Sequence, residues 1–149
     1  MVKIKHNKKK VLGVILARSG SKGIKEKNIK KLGGHPLISY SIYAGLNSKN
    51  ISKLIVSTDS KKIAKIAKNY GAETPFLRSK VLAKDKVPSK DALRDAVLKA
   101  EQIYNTKFEY VIEIPAVAPL RTGKDIDKAL NLLFTNKYDS VISFARVFD

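Results

Sequence analysis

The 149-residue sequence contains no cysteine, no tryptophan and a single methionine. Without cysteine, the chain has neither a disulfide framework nor a thiolate that could bind a metal or act as a nucleophile. Long apolar runs are missing as well, since the run from Val11 to Ala17 is too short for a transmembrane helix and too closely followed by Arg18 for a good signal peptide. We therefore expect a soluble, cytoplasmic protein with no membrane partner.

Acidic residues are scarce. Thirteen aspartates and glutamates stand against 30 lysines and arginines, which gives a formal net charge of +17. Such a charge invites a nucleic-acid interpretation. The lysines are scattered along the whole chain, however, and no aromatic-rich binding motif accompanies them. We do not expect nucleic acid to be the main partner, although a basic surface attracts any polyanion, including a nucleotide.

Short apolar runs alternate with segments of helical spacing. Strands are predicted at residues 11–17, 52–57, 72–77, 108–114 and 140–145. Helices are predicted after Pro36 and at residues 60–70, 88–104 and 125–134. This alternation predicts an α/β fold, with a mostly parallel sheet and helices on both faces.

The predicted fold stops at its last strand. Residues 1–149 are expected to form one nucleotide-binding domain, preceded by a basic N-terminal extension at residues 1–10. No helix follows the strand at 140–145, and a parallel sheet needs both faces covered. We therefore expect the domain to be truncated at its C-terminus.

The first strand leads into a loop rich in glycine, serine and lysine, and ligands of parallel sheets bind where such strands end. Gly20 and Gly23 would allow backbone conformations closed to other residues and a close approach of main-chain N–H groups to phosphate oxygens. Hydroxyl donors and positive charges are added by Arg18, Ser19, Ser21, Lys22 and Lys27. The composition favours an anion-binding loop, although a flexible basic turn remains an alternative. The G-x-x-x-x-G-K-[ST] and G-x-G-x-x-G patterns are both absent.

The segment ILARSGSKGIKEKNIKKLGGHPLISYSI, residues 15–42, resembles the opening of the acylneuraminate cytidylyltransferases, the CMP-sialate or CMP-nonulosonate synthetase family. Three later segments fit the family in the same order: IVSTD at 55–59, LAKDKVPS at 82–89 and APLRTGKDID at 118–127. The resemblance covers nearly the whole chain.

The resemblance implies a Rossmann-like nucleotidyltransferase that transfers CMP from CTP to the anomeric hydroxyl of a sialic-acid-like nonulosonic acid, releases pyrophosphate and uses Mg2+. By position, Arg18 and Lys22 would be the catalytic residues that hold the triphosphate, and Arg121 would bind the sugar acid. The complete set of nucleotide-binding residues implied by the loop and the resemblance is Arg18, Ser19, Gly20, Ser21, Lys22, Gly23, Lys27, Asn28 and Ser89.

In the resembling family, the metal carboxylates and the dimerisation segment lie beyond the position of Asp149. We therefore expect no metal ligand within this chain, a homodimer for the full-length family and poor catalysis by these residues alone. The family pattern Q-P-T-S-P-L-R is replaced here by PAVAPLR at 115–121, so the identity of the sugar acid stays open.

Structural alternatives accompany several of these residues. Ser89 is also a candidate helix cap, Asn28 a candidate turn residue and Arg121 a candidate structural ion-pair partner. Asp59 is expected to cap the following helix and is not assigned to the site. Two other functions stay open: a nucleotidyltransferase for another sugar acid, such as an eight-carbon 2-keto acid, and a noncatalytic basic module that binds a nucleotide or nucleic acid.

Overall fold

The computed structural model describes residues 9–21, 23–136 and 138–144. Its strands are Val11–Leu16 (β1), Lys31–Leu32 (β2), His35–Pro36 (β3), Lys53–Ser57 (β4) and Tyr110–Glu113 (β5). Its α-helices are Leu37–Leu46 (α1), Lys61–Asn69 (α2), Ser89–Tyr104 (α3) and Gly123–Thr135 (α4). Short 3-10 turns occupy Lys27–Ile29 and Val81–Ala83.

The main sheet has the strand order β4-β1-β5, and both pairings are parallel. Val14 lies opposite Ile55 on one side and Glu113 on the other, so β1 is the central strand. All three strands therefore end at the same edge of the sheet. The strands β2 and β3 form a separate antiparallel hairpin next to the first loop. The predicted parallel α/β fold is confirmed.

Apolar side chains of β1 point alternately to two cores, as expected for a strand that is covered on both faces. Val11 and Ile15 join the larger core, which is completed by α1, α2 and α4. Leu12 and Val14 face the smaller core, which is completed by Ala96 and other residues of α3. Burial on both faces explains why β1 could be read directly from its continuous apolar run.

Two of the predicted strands are not observed. In place of a strand at 72–77 there is a single parallel bridge between Glu73 and Ile55, and Pro75, which has no N–H to donate, follows it closely. Among the described residues, 140–144 do not form a strand and share no backbone hydrogen bond with β5, while Ala145 lies outside the described residues. Strand formation needs a hydrogen-bonding neighbour, and apolar sequence alone does not provide one.

The α4 helix starts earlier than predicted. Thr122 and Asp125 form a reciprocal capping box, in which each side chain accepts a hydrogen bond from the other residue's backbone N–H. The first helical residue is therefore Gly123 rather than Asp125. Within the described part of the chain, no helix is both long and apolar enough to cross a bilayer.

Candidate nucleotide-binding site

A cavity of about 420 Å³ lies at the edge of the sheet where β1 and β5 end. The parallel arrangement brings together the loop after β1, the segment before α3 and the segment after β5. The described residues that line the cavity are Leu16, Arg18, Ser21, Lys27, Asn28, Arg78, Leu82, Lys84, Asp85, Val87, Ser89, Ala92, Glu113, Pro115, Ala116 and Val117.

Five of the residues predicted to bind the nucleotide line this cavity. They come from the loop after β1 and from the start of α3: Arg18, Ser21, Lys27, Asn28 and Ser89. Ser19, Gly20 and Gly23 belong to the same loop but do not line the cavity. Lys22, the second predicted catalytic residue, lies outside the described residues.

The conformation of Gly20 differs from the one predicted. Gly20 is not among the glycines with a left-handed backbone, which are Gly33, Gly34 and Gly71 in the described part of the chain. A Cβ atom added at Gly20 or Gly23 would meet no other atom within 4 Å. A left-handed backbone therefore does not explain the glycine at position 20.

The peptide group between Arg18 and Ser19 is held at both ends. Asn28 donates from Nδ2 to the carbonyl oxygen of Arg18 at 2.9 Å. The backbone N–H of Ser19 donates to Oδ1 of Asp59 at 2.8 Å, and Ser19 Oγ donates to Oδ2 at 2.5 Å. Both hydrogen-bond donors of Ser19 are thus directed to Asp59, not to the cavity.

The prediction that Asp59 caps α2 is wrong. The cap is Ser60, whose Oγ accepts a hydrogen bond from the backbone N–H of Ile63. Partial burial opposes ionisation of Asp59, but the two bonds from Ser19 and the nearby charge of Arg78 outweigh it, so its pKa lies below the ordinary value. Asp59 is an ionised anchor for the loop after β1. A sequence pattern could not distinguish this role from capping, because Ser19 is 40 positions away.

Ser89 does not act as a helix cap. Pro88 is the N-cap residue of α3, and no side-chain capping bond is present. Ser89 is the first helical residue, is exposed and lines the cavity. The capping alternative for Ser89 is therefore wrong, and its hydroxyl is not used by the helix end.

Arg18 and Asp85 form an ion pair in the cavity. Their side chains are 37% and 35% exposed, so the pair is accessible to solvent and to a ligand. The cavity therefore contains a carboxylate that competes with any bound anion for the guanidinium of Arg18.

Arg78 is a cavity residue that the sequence did not reveal. It is only 5% exposed, and its backbone N–H donates to the carbonyl oxygen of Thr58 at 2.8 Å. Its Nε atom is buried without a hydrogen-bond partner in the described part of the chain. Burial lowers the pKa of Arg78, although the charge of Asp59 opposes this shift. A single arginine in a polar loop carries no signal for burial, because the fold alone decides what covers it.

Arg121 lines a second cavity, of about 560 Å³, on the other side of the end of β5. Asp125 lines this cavity as well. The two cavities share Glu113 and Pro115, so they adjoin each other without merging. The structure therefore separates Arg121 from the predicted nucleotide-binding residues.

The family model described as Cytidylyltransferase matches residues 12–149. The chain belongs to the cytidylyltransferase family. The family match starts within β1 and includes the loop after it. The residues that line the cavity therefore lie within the matched range.

Two curated relatives are similar to this chain in sequence. The "Post-translational flagellin modification protein B" of Campylobacter coli is 42% identical, over 89% of this chain and 57% of the relative. The CMP-N,N'-diacetyllegionaminic acid synthase of Campylobacter jejuni is 44% identical, over 73% of this chain and 46% of the relative. The predicted resemblance to CMP-nonulosonate synthetases is thereby confirmed. The chain spans about half the length of these curated relatives.

The fold of this cytidylyltransferase-family chain matches a solved structure, that of CMP:2-keto-3-deoxy-manno-octonic acid synthetase complexed with CTP. The TM-score is 0.70 at 19% sequence identity, over 86% of this chain and 48% of that one. The predicted Rossmann-like nucleotidyltransferase fold is confirmed by this match.

Proposed function

We propose that this chain forms the CTP-binding part of an enzyme that transfers CMP from CTP to the anomeric hydroxyl of a sialic-acid-like nonulosonic acid. In the reaction, a bond forms between the sugar oxygen and the α-phosphorus, the bond from that phosphorus to pyrophosphate breaks, and the hydroxyl proton is lost. The observation that carries the proposal is the convergence of Arg18, Lys27 and Arg78 on one cavity at the carboxyl edge of the sheet.

The charge of the cavity suits a polyphosphate. Its described lining contains four cationic side chains, those of Arg18, Lys27, Arg78 and Lys84, and two carboxylates, those of Asp85 and Glu113. Nucleotidyl transfer demands little covalent chemistry from the protein, because alignment of the reacting groups and neutralisation of charge account for most of the rate. A preorganised cluster of cations meets this demand.

Polar groups beside the cations would orient the nucleoside. Asn28 is buried and faces the cavity, and the Ser89 hydroxyl stands free of any capping bond at the start of α3. Both can form hydrogen bonds with a base or a ribose. Together with Ser21, they place neutral polar groups next to the charged part of the cavity.

The second cavity supports a site for the sugar acid. Arg121 presents a guanidinium, which pairs well with a carboxylate. Because this cavity shares Glu113 and Pro115 with the first, a sugar bound there would lie next to the nucleotide. The sequence similarity to the CMP-N,N'-diacetyllegionaminic acid synthase favours a nonulosonic acid as the substrate of this chain. The octonic acid synthetase supports an eight-carbon acid less strongly, because at 19% identity its similarity to this chain shows only a common fold.

The resemblance implies Mg2+, which when bound would neutralise phosphate charge. Among the described residues, no three histidine, aspartate or glutamate side chains come together as a metal cluster. Asp85, one of the carboxylates in the cavity, is paired with Arg18. We propose that Mg2+ takes its ligands mainly from the triphosphate, since Mg2+ in phosphate-transfer sites is held by one or two carboxylates together with substrate phosphates.

Nucleotide binding tests the proposal most directly. Thermal-shift and calorimetric titrations with CTP, UTP, ATP and GTP should show a shift selective for CTP, because ligand binding to the folded state raises its stability. Lys27→Ala should reduce the shift, whereas Lys25→Ala, an exposed lysine of the same loop that does not line the cavity, should not. Equal effects of the two variants, or salt-sensitive RNA binding without a CTP shift, would contradict the proposal.

Substrate and assembly need separate measurements. Pyrophosphate release should be tested with CTP, Mg2+ and either a legionaminic-type, a sialic or an eight-carbon sugar acid, and we expect a preference for the nonulosonic acids. We further propose that the protein is cytoplasmic and that full-length members of the family form a homodimer, which light scattering of a full-length protein would test. An eight-carbon acid as the preferred acceptor would overturn the assignment of substrate but not that of CTP.

A further inference from the structure

We infer that Asp59 is a positioning residue for nucleotide binding: it holds the Arg18–Ser19 peptide group in the orientation that places the Arg18 side chain in the cavity. The inference rests on the proposed function, in which Arg18 binds phosphate. It concerns a residue that does not line the cavity and would have no direct contact with the ligand.

The geometry of a single peptide group carries the inference. The Arg18 carbonyl oxygen and the Ser19 N–H belong to the same plane, and each has its own side-chain partner: Asn28 at 2.9 Å and Asp59 at 2.8 Å. A peptide group with both ends bonded cannot rotate without losing at least one of these bonds. The direction in which the chain leaves β1 is therefore determined by Asn28 and Asp59.

The partners of this peptide group are themselves firmly placed. Asn28 is 7% exposed and belongs to the 3-10 turn that packs against α1. Asp59 directly follows Thr58, which is fully buried at the end of β4. The residue before Arg18 is also tied to β4, because Ala17 N–H donates to the Ser57 carbonyl oxygen at 3.0 Å. Arg18 thus projects from a backbone fixed on both sides.

A purely electrostatic view of Asp59 predicts the opposite effect. A carboxylate close to a phosphate-binding loop repels the ligand, so its removal would tighten binding of a polyanion. Positioning predicts that the same removal weakens binding, because the loop loses the orientation of Arg18. The sign of the change therefore distinguishes the two roles.

Two variants of Asp59 separate charge from hydrogen bonding. Asp59→Asn and Asp59→Ala remove the same charge, but only Asn keeps an oxygen that can accept from Ser19 N–H. We expect CTP affinity to fall in the order wild type, Asn, Ala, with a loss of about tenfold for Ala, the factor typical of losing hydrogen bonds to a charged group. The loss should be larger for CTP than for CMP, because the phosphates are the groups that Arg18 holds.

A second readout does not depend on any nucleotide. Amide hydrogen exchange of Ser19, measured by NMR on the free protein, should accelerate in Asp59→Ala while the amides of β1 stay protected. Asp127→Asn is the matched control. Asp127 also holds a loop, through Ser48 Oγ at 2.6 Å and the N–H groups of Lys49 and Asn50, but it does not line the cavity. Its variant should leave CTP affinity and Ser19 exchange unchanged.

The outcomes are distinct. If wild type binds CTP and both Asp59 variants bind it equally or more tightly, the positioning role is overturned and the proposed function stands. Unchanged Ser19 exchange in Asp59→Ala would also overturn it. If the wild-type protein binds no CTP, the proposed function itself fails. Faster exchange of the Ser19 amide in Asp59→Ala would then show that Asp59 anchors the loop without a role in nucleotide binding.

Discussion

The guanidinium of Arg18 is paired with the carboxylate of Asp85 inside the cavity that we assign to CTP. The two residues are brought together from the end of β1 and from the loop before α3. Asp85 is therefore paired with a guanidinium that the triphosphate would need. Asp85 and Asp59 are two carboxylates near the same arginine with opposite expected effects: one competes for its side chain, and the other orients its backbone.

Asp85→Asn should bind CTP more tightly than wild type, by about two- to fivefold, because a partly exposed ion pair of modest strength no longer has to be broken. Calorimetry with EDTA present measures this effect without any contribution from Mg2+. Glu109→Asn, which removes an exposed carboxylate away from the cavity, controls for net charge. A weaker affinity of Asp85→Asn would show that Asp85 supports the site instead of competing for it.

Gly20→Ala should leave stability unchanged and weaken CTP binding. The added Cβ meets no atom in the free protein, but it would intrude where phosphate is expected to approach the main chain. Gly123→Ala is the comparison variant in which the added Cβ does clash, because it would lie 2.6 Å from backbone atoms of Asn47. That variant should lose about 1–3 kcal/mol of unfolding free energy. Urea unfolding and CTP titration of both variants test the pair, and normal CTP affinity in Gly20→Ala would count against a phosphate contact at this glycine.

Arg78→Met should keep the free energy of unfolding at or above the wild-type value while reducing CTP affinity about tenfold, since charge-assisted hydrogen bonds to phosphate are strong. The reason is that the buried Nε atom has no hydrogen-bond partner in the described protein, and a buried unpaired donor is unfavourable. Arg94→Met, at an exposed position on α3 that does not line the cavity, should change neither quantity. Marked destabilisation by Arg78→Met would indicate a structural role for this arginine.

Lowering the pH should remove the contribution of Asp127 to the free energy of unfolding. Burial opposes ionisation of this carboxylate, but bonds from Ser48, Lys49 and Asn50 hold its pKa below the ordinary value of 3.8. The unfolded chain therefore binds a proton more readily, so the contribution is complete above about pH 4 and is lost as the pH falls further. Asp127→Asn should be less stable than wild type at pH 7 by about 1–3 kcal/mol, and the difference should shrink by pH 3. Urea unfolding at both pH values measures this difference, and Asp139→Asn, at an exposed position, is the control. An equal loss of unfolding free energy in Asp127→Asn at pH 7 and pH 3 would contradict the expectation.

Much of the site was predictable from a short stretch of sequence. Ser21, Lys27 and Asn28 follow β1 closely in the sequence. Once β1 was predicted, these residues were therefore expected at its carboxyl end. Asp59, Arg78 and Asp85 were missed as contributors to this site, although Asp59 and Asp85 lie in the family-like segments 55–59 and 82–89. A local motif does not show which distant residue a side chain contacts. Their roles depend on Ser19 and Arg18, which only the folded chain brings near.

The sequence by itself determined the alternation of strands and helices and the basic, glycine- and serine-rich composition of the first loop, because hydrophobic periodicity and loop composition are local properties. The tertiary structure decided the strand order β4-β1-β5, the reduction of residues 72–77 to one bridge, the anchoring of Ser19 by Asp59 and the placement of Arg121 in a separate cavity. Each of these depends on a partner that is distant along the chain. Hydrogen bonds and ion pairs form between neighbours in space, and the order of residues in the sequence does not specify those neighbours.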